Sequence, residues 1–173
     1  MQNKENIALI GMMGSGKTTI GEFLAKKLKK SFLDLDIEIE KKQQQKINDI
    51  FAKNGEDFFR ELESKNLKNI CTNNNNYILS CGGGSFNKKE NRILLKKHSI
   101  VIYLKTDINI LVNRVKLSDA RPLLKSCNLS DKLTQLFTER EKYYLDADIE
   151  ICTNNSDINL ITNQIITKLN AQS

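Results

Sequence analysis

The sequence predicts an α/β fold of three layers, in which helices cover both faces of a parallel sheet. Short apolar segments of the buried-strand type alternate with segments of helical spacing along the chain. In addition, the first apolar segment, 7–10, is followed by a glycine-rich turn and then by a helical pattern. Because parallel strands need long crossover connections, this alternation favours a parallel sheet whose ligand site lies at the carboxyl ends of the strands.

The spacing of apolar residues predicts each element in turn. The predicted strands are 7–10, 32–35, 77–79, 100–104 and 149–152. The predicted helices are marked by Ile20, Phe23, Leu24 and Leu28, by Phe58, Phe59, Leu62 and Leu67, by Ile93, Leu94 and Leu95, by Ile108, Leu111, Val112 and Val115, and by Ile158, Ile161, Ile165 and Leu169. Phe58 and Phe59 are both expected in the core. The polar stretch 116–131, which contains the only proline, suits a mobile lid over an active site.

Length and composition restrict the class of protein. A chain of 173 residues is expected to form one domain, 1–173, with a proper hydrophobic core. The net charge of +6 comes from lysines in scattered pairs, which favours solvated helix faces and small anionic ligands over nucleic acid. Four distant cysteines and a single histidine, His98, make zinc unexpected. No apolar run suits a signal sequence or a membrane span, which predicts a cytoplasmic protein with reduced thiols.

The residues after the first predicted strand have the phosphate-binding pattern G-x-x-x-x-G-K-[ST], the P-loop, from Gly11 to Thr18. Its glycines let main-chain N–H groups turn toward phosphate oxygens, and the following helix presents its N-terminus to the same anion. Lys17 supplies a positive charge for the β- and γ-phosphates, and the Thr18 hydroxyl is a candidate Mg²⁺ ligand. The predicted nucleotide site contains Gly14, Ser15, Gly16, Lys17, Thr18 and Thr19.

Two carboxylates, Asp34 and Asp36, stand at the end of the second predicted strand. Strand alternation predicts that both point to one side of the chain. They suit a Mg²⁺ shell, hydrogen bonds from a hydroxylated substrate, or orientation of an attacking hydroxyl. A polar strand end that leads into a helix N-cap explains them equally well.

Arg60 and Glu63 are three residues apart on a predicted helix and are therefore neighbours. Glu63 can fix the guanidinium group while Arg60 binds a carboxylate through two hydrogen bonds. The alternative is an exposed ion pair of little energetic value.

Three glycines, Gly82, Gly83 and Gly84, directly follow the third predicted strand. Such a run gives up side-chain packing, and it therefore favours a close approach of a ligand to the main chain. The alternative is a flexible turn.

Three arginines, Arg114, Arg121 and Arg140, complete the set of candidates. Arg121 lies in the predicted lid, where a cation can meet the charge that develops on a transferring phosphoryl group. The alternative for any single arginine is an ordinary surface position. Together, a phosphate cradle, arginines for an anion and a carboxylate for hydroxyls describe a kinase pocket for a small polyhydroxylated acid.

In this order, the motifs resemble those of the shikimate kinase family. The resemblance extends from Gly11 to about residue 148 and rests on G-S-G-K-T-T, F-x-D-x-D, F-F-R-x-x-E, G-G-G, R-P-L-L and R-x-x-x-Y. It implies a P-loop kinase fold with strand order 2-3-1-4-5, usually monomeric. It also implies ATP-dependent phosphorylation of shikimate at its 3-hydroxyl group, in the pathway to chorismate and the aromatic amino acids, with Mg²⁺ as cofactor.

The same resemblance implies residue roles. The residues that it assigns to shikimate, beginning in the region of about 34–63, are Asp36, Arg60, Glu63, Gly82, Gly83, Gly84 and Arg140. The residues that it assigns to the ATP phosphates beyond the P-loop are Arg114 and Arg121. Asp34 is expected to support Mg²⁺ through a water molecule, and catalysis is expected to involve Lys17, Asp34 and Arg121.

Two departures from the family pattern are visible. Lys142 stands where the family commonly has proline, and the stretch 153–156 lacks the arginine that often lies near the adenine. Adenine contacts in that stretch are therefore left unassigned.

Two other functions remain open from the residues. A gluconate-type kinase shares the P-loop and the lid but does not require the D-x-D, R-x-x-E and G-G-G set. A nucleotide-binding module without turnover binds ATP but releases no ADP in response to an acceptor.

Overall fold

The computed structural model describes residues 5–117, 129–154 and 157–171 of the chain. Its five strands form one parallel sheet in the order β2-β3-β1-β4-β5. They are β1 (Asn6–Ile10), β2 (Ser31–Asp34), β3 (Tyr77–Ser80), β4 (Ser99–Lys105) and β5 (Ile149–Cys152). The predicted fold class and the strand order implied by the family resemblance are both confirmed.

Helices cover both faces of this sheet. They are α1 (Lys17–Leu28), α2 (Leu35–Gln43), α3 (Ile47–Asn73), α4 (Lys89–His98), α5 (Ile108–Lys116), α6 (Leu129–Tyr144) and α7 (Ile158–Asn170), and a 3₁₀ turn covers Ser85–Asn87. None of the helices in the described part of the chain is long and apolar enough to span a membrane.

The central strand β1 shows how the two faces are filled. Ile7 and Leu9 pack into a cluster with residues of α1 and α7, whereas Ala8 and Ile10 pack into a second cluster with residues of α2 to α6. Successive side chains of a strand point to opposite faces, so a strand that is covered on both sides is apolar throughout. All five residues of β1 are buried.

The segment between β2 and β3 differs most from the prediction. The sequence indicated a helix around Phe58 to Leu67, but it did not indicate α2 or the first turns of α3. Helix α2 buries only Leu35 and Ile39, so it lacks an apolar stripe that a periodicity test detects. Helix α3 is interrupted at Gly55, whose φ of 83° and ψ of 177° are accessible essentially to glycine alone.

All five strands end at the same edge of the sheet, and this edge collects the candidate functional residues. The P-loop follows β1, Asp34 ends β2, the three glycines follow β3, and Thr153 follows β5. The register pairs Asp34 with Ser80 of β3, and Ser80 with Leu9 of β1. The parallel arrangement therefore brings segments that are distant in sequence to one side of the molecule.

Candidate active site

The P-loop is held in a conformation that suits an anion. Gly16 precedes α1 with a φ of 89°, a left-handed conformation that glycine adopts without a steric penalty. No side chain caps the N-terminus of α1, so its first N–H groups point toward the cavity. Lys17 Nζ donates hydrogen bonds to the main-chain oxygens of Gly11 and Met12, each at 2.9 Å. The loop therefore carries a fixed positive charge beside a set of main-chain donors.

Asp34 connects the P-loop helix to α2. Thr18 Oγ1 donates a hydrogen bond to Asp34 Oδ2 at 3.0 Å. Asp34 Oδ1 accepts hydrogen bonds from the main-chain N–H groups of Asp36 at 3.1 Å and Ile37 at 3.4 Å, which caps α2. The cap that the sequence left open as one alternative is therefore present, and the second carboxylate oxygen lies beside the Thr18 hydroxyl. A hydroxyl and a carboxylate oxygen are the ligand types that Mg²⁺ prefers.

Asp36 does not lie on a strand, so the predicted alternation with Asp34 is wrong. Strand β2 ends at Asp34, and Asp36 lies in the first turn of α2 because the Asp34 side chain bonds its N–H group. The two carboxylates nevertheless line the same cavity. Asp36 Oδ1 also lies close to the glycine loop, because a methyl group added at Gly82 would be only 3.1 Å from it.

Arg60 is held by carboxylates on its own helix. Arg60 Nη1 donates to Glu63 Oε2 at 2.9 Å, and Arg60 Nη2 donates to Glu56 Oε1 at 3.0 Å. Glu63 is only 1% exposed, and its Oε1 accepts a hydrogen bond from Ser85 Oγ at 2.5 Å. Burial lowers the pKa of Arg60, but the charge and hydrogen bonds of Glu63 and Glu56 outweigh it and raise the pKa. The predicted pairing of Arg60 with Glu63 is therefore present, with Glu56 and Ser85 as partners that the sequence did not indicate.

The two aromatic residues before Arg60 differ in burial. Phe59 is 4% exposed and lies in the core, as predicted. Phe58 is 40% exposed, so its predicted core position is wrong. Residues that are adjacent on a helix point about 100° apart, and only one of the two can face the sheet.

The glycine loop brings two arginines together. A methyl group at Gly84 would lie 2.6 Å from both Nη1 and Nη2 of Arg60, so a larger residue there would displace the guanidinium group. A methyl group at Gly83 would lie 3.3 Å from Nη1 of Arg140. Arg140 belongs to α6 and is only 8% exposed. Two guanidinium groups from distant helices therefore lie over neighbouring glycines, an arrangement that can bind one anionic group.

Two cavities adjoin this arrangement. The larger cavity, of about 440 Å³, contains the predicted phosphate-binding residues together with the two aspartates and the first two loop glycines, namely Gly14, Ser15, Gly16, Lys17, Thr18, Thr19, Asp34, Asp36, Gly82, Gly83 and Arg114. A smaller cavity of about 280 Å³ contains Arg60, Glu63 and Gly84. Arg140 lines neither cavity and meets the site through Gly83.

Arg114 spans the outer end of the larger cavity. Its Nη2 donates to the main-chain oxygen of Thr153 at 2.9 Å, and its Nη1 donates to that of Gly14 at 3.4 Å. The sequence did not indicate Thr153, Ile158 or Ile161 as site residues, although all three line this end. The only sequence feature that could have indicated them is their position after the last strand, because ligand sites of parallel sheets form at the carboxyl ends of the strands. Arg121 and residues 118–128 of the predicted lid lie outside the described residues.

The described part of the chain contains no cluster of side chains that resembles a zinc centre. Within 5–117, 129–154 and 157–171, no three side chains of His, Cys, Asp or Glu cluster in a way that suits a metal ion. Burial raises the pKa of the Cys81 thiol, which lines the larger cavity, well above its ordinary value. This thiol therefore stays neutral and is not a reactive thiolate.

Comparisons with known proteins agree with this geometry. A family model described as shikimate kinase matches residues 13–170. A shikimate kinase from Sulfurihydrogenibium sp. is 41% identical over 165 residues, which cover 95% of this chain and 98% of that protein. The solved shikimate kinase from Acinetobacter baumannii in complex with shikimate is 36% identical, with a TM-score of 0.92 and coverage of 97% of this chain and 94% of that one. A gluconokinase from Sinorhizobium meliloti, 16% identical with a TM-score of 0.66 and coverage of 99% and 95%, shares the fold alone.

Proposed function

The chain belongs to the shikimate kinase family and is a kinase, and we propose that it transfers the γ-phosphoryl group of ATP to the 3-hydroxyl group of shikimate. The family match covers nearly the whole chain, and a structural relative was solved with shikimate bound. The gluconate-type alternative is supported only by a shared fold, that of the gluconokinase structure.

One observation carries this proposal further than the family does. The glycine loop that lies under Arg60 and Arg140 also lies close to the P-loop, because a methyl group at Gly83 would be 3.6 Å from the main-chain oxygen of Gly11. An anion-binding pair and a phosphate cradle are therefore next to each other. This is the arrangement that an acidic acceptor of a phosphoryl group requires.

For ATP, we place the phosphates on the P-loop and the base at the outer end of the cavity. Lys17 and the N-terminus of α1 face the β- and γ-phosphates. Ile158 and Ile161 supply an apolar wall at the outer end, and the Arg114 guanidinium is fixed there by Thr153. For Arg114 this proposal therefore replaces the role at the phosphates that the family resemblance implied. A flat aromatic base packs favourably between apolar side chains and a guanidinium plane.

For the metal, the Thr18 hydroxyl and the Asp34 carboxylate form a fitting pair of oxygen ligands, 3.0 Å apart. We propose that Thr18 holds Mg²⁺ directly and that Asp34 holds it through a water molecule. A bound Mg²⁺ supplies charge neutralisation at the β- and γ-phosphate oxygens.

For the acceptor, we propose that Arg60 and Arg140 bind the carboxylate of shikimate and that Asp36 accepts a hydrogen bond from one of its hydroxyl groups. Glu63 fixes Arg60, and the close Gly84 main chain leaves room for the anion. The acceptor hydroxyl then faces the phosphate cradle. Because phosphoryl transfer has a loose transition state, these residues act mainly by positioning and by charge.

The remaining elements of the proposal come from the family resemblance. Arg121 stays a predicted catalytic cation of the lid. The single domain 1–173, the monomeric state and the cytoplasmic location also stay predictions, as does the absence of nucleic acid and membrane partners.

The test is acceptor-dependent ADP release with ATP and Mg²⁺, compared for shikimate, quinate, gluconate and nucleoside monophosphates. We expect release with shikimate to exceed release with every other acceptor. Faster release with gluconate would establish the gluconate-type alternative. Bound ATP with no response to any acceptor would instead establish a nucleotide-binding module.

A further inference from the structure

Tyr144, the last residue of α6, lies where the nucleotide side and the acceptor side meet. Its side chain is fully buried, and its ring packs on that of Tyr103 in β4 with centroids 5.1 Å apart. Its hydroxyl group donates a hydrogen bond to the main-chain oxygen of Gly83. The same hydroxyl lies 3.7 Å from the sulfur of Met12 in the P-loop.

The Tyr144 hydroxyl also interacts with Arg140, one turn earlier on α6. A methyl group at Gly83 would lie 3.3 Å from Arg140 Nη1, so the guanidinium group lies beside the residue whose main-chain oxygen accepts the hydrogen bond of Tyr144. The charge of Arg140 acts on the Tyr144 hydroxyl and opposes the rise in its pKa. Tyr144, Gly83 and Arg140 therefore form one buried set of contacts, which restricts the position of Arg140 relative to Gly83.

The P-loop completes this set of contacts. Gly83 lies against the P-loop main chain, close to the oxygen of Gly11 and the nitrogen of Met13. Lys17 Nζ donates to the main-chain oxygen of Met12, and phosphate groups compete for the same ammonium group. A change in the position of the Lys17 ammonium group is therefore expected to move Met12, whose sulfur contacts the Tyr144 hydroxyl.

We propose that Tyr144 is a positioning residue that couples binding of the acceptor to binding of the nucleotide. Its hydroxyl holds Arg140 and Gly83 in place against the P-loop, so that a filled phosphate cradle favours the arginine position that binds the acceptor. This inference rests on the proposed function, and it adds a role for a residue that touches neither substrate.

The hydroxyl keeps its proton under ordinary conditions. Burial raises the pKa of Tyr144 to about 12, although the charges of Arg140 and Arg60 oppose this shift. It therefore remains a hydrogen-bond donor to Gly83 at neutral pH.

Tyr103 provides a matched control. It is also a buried tyrosine, it packs on the Tyr144 ring, and within the described part of the chain its hydroxyl has no hydrogen-bond partner. Tyr103→Phe and Tyr144→Phe thus remove the same atom from adjacent buried rings. Only the second removes a contact with the site.

The test is calorimetric titration of shikimate into wild type, Tyr144→Phe and Tyr103→Phe, each without ADP and with saturating Mg²⁺–ADP. In wild type, ADP is expected to tighten shikimate binding, and shikimate to tighten ADP binding by the same factor. Tyr144→Phe is expected to weaken shikimate binding about tenfold and to reduce the coupling factor to about one, as loss of one buried hydrogen bond predicts. Its affinity for ADP alone should not change. Tyr103→Phe should match wild type in all of these values.

Steady-state kinetics separate positioning from a general loss of structure. The proposal predicts a raised KM for shikimate in Tyr144→Phe with kcat within about twofold of wild type, because bound substrates still align. A lower kcat with an unchanged KM indicates a smaller folded fraction and overturns the proposal, as does a Tyr144→Phe protein that keeps the wild-type coupling factor. Wild type that binds no shikimate refutes the proposed function, whereas wild type that binds it without any response to ADP refutes only the coupling.

Discussion

The nucleotide side and the acceptor side of the site are built in different ways. On the nucleotide side, the phosphate cradle is one continuous segment from β1 into α1, which presents main-chain N–H groups and the Lys17 ammonium group. The acceptor side takes its charged groups from α2, α3 and α6 and holds them with ion pairs and hydrogen bonds, such as Arg60 with Glu63. The first is therefore fixed by backbone conformation, whereas the second depends on each charged partner.

The largest effect is expected on the nucleotide side, from Lys17→Met. Turnover should fall by about a thousandfold, since a charge that faces the transferring group is lost. The melting temperature should fall by only a few degrees, because the hydrogen bonds from Lys17 to the oxygens of Gly11 and Met12 are only partly buried. Initial rates with saturating substrates and thermal unfolding measure the two outcomes.

Lys27→Met is the control for this change. Lys27 lies on the same helix but is exposed, and its Nζ donates to Asn163 Oδ1 of α7 at 2.9 Å. The Lys27→Met protein should keep normal turnover. A Lys17→Met protein with near-normal rates would show that the P-loop charge is not needed.

The next effect is expected on the acceptor side, from Arg60→Ala and Arg140→Ala. Each should weaken shikimate binding by about 1.5–3 kcal/mol, or about ten- to a hundredfold, with ATP binding hardly changed. The double variant should be non-additive because both side chains bind one group. Arg60→Lys should rescue poorly, since an ammonium group cannot reproduce the planar fork.

Stability should separate the two arginines. Arg60→Ala leaves the buried Glu63 carboxylate without its cation and should lower the melting temperature more than Arg140→Ala does. Shikimate methyl ester tests the shared anion directly. Equal kcat/KM for the acid and the ester in wild type would contradict carboxylate binding by these arginines.

A third comparison uses two aspartates, Asp34 on the nucleotide side and Asp36 on the acceptor side. Asp34→Asn should raise the Mg²⁺ concentration needed for half-maximal rate by about tenfold and lower kcat, while stability is kept because asparagine also caps helices well. Asp36→Asn should raise KM for shikimate by a similar factor and leave the Mg²⁺ requirement unchanged. Mg²⁺ titrations at fixed ATP, with shikimate saturation curves, measure both. Identical Mg²⁺ titrations for the two variants would contradict the assignment of Mg²⁺ to Asp34 and of the acceptor to Asp36.

The smallest effect is expected in the connection between α2 and α3. Glu40 accepts hydrogen bonds from Lys46 Nζ at 2.8 Å and from the Ile47 N–H group at 3.0 Å. The Lys46 hydrogen bond is the main reason that the pKa of Glu40 is lowered below 4.5, although burial opposes it. The ionised carboxylate therefore adds stability above the unfolded pKa, and this stability is lost as the pH falls through the folded pKa.

Glu40→Gln should consequently lower the free energy of unfolding slightly at pH 7, and this difference should shrink as the pH falls through the folded pKa of Glu40 and its carboxylate is protonated. Urea unfolding over a series of pH values measures the difference. Glu38→Gln is the control, because Glu38 pairs with exposed Lys41 and its carboxylate has no main-chain partner among the hydrogen bonds found in the described residues. A difference that does not shrink as the pH falls would mean that the shape of the side chain, not its charge, holds this connection.

Local patterns were sufficient for most of the fold. Apolar runs predicted all five strands, and the G-x-x-x-x-G-K-T segment predicted the strand, turn and helix around it, because each depends on neighbours in sequence. The family resemblance supplied the strand order, which is confirmed. Helix α2 was missed because it is held by the Asp34 cap and by packing on α3 rather than by an apolar stripe.

The sequence by itself determined most of the buried apolar faces, where the phosphate loop lies and which charged residues are candidates for the site. Only the tertiary structure decided which of these candidates meet. Tyr144 reaches Gly83 across 61 residues and Met12 across 132, and Ser85 reaches Glu63 across 22. Periodicity reports which face of an element turns toward the core. The meeting of side chains from separate elements depends on how those elements pack, and that has no local pattern in the sequence.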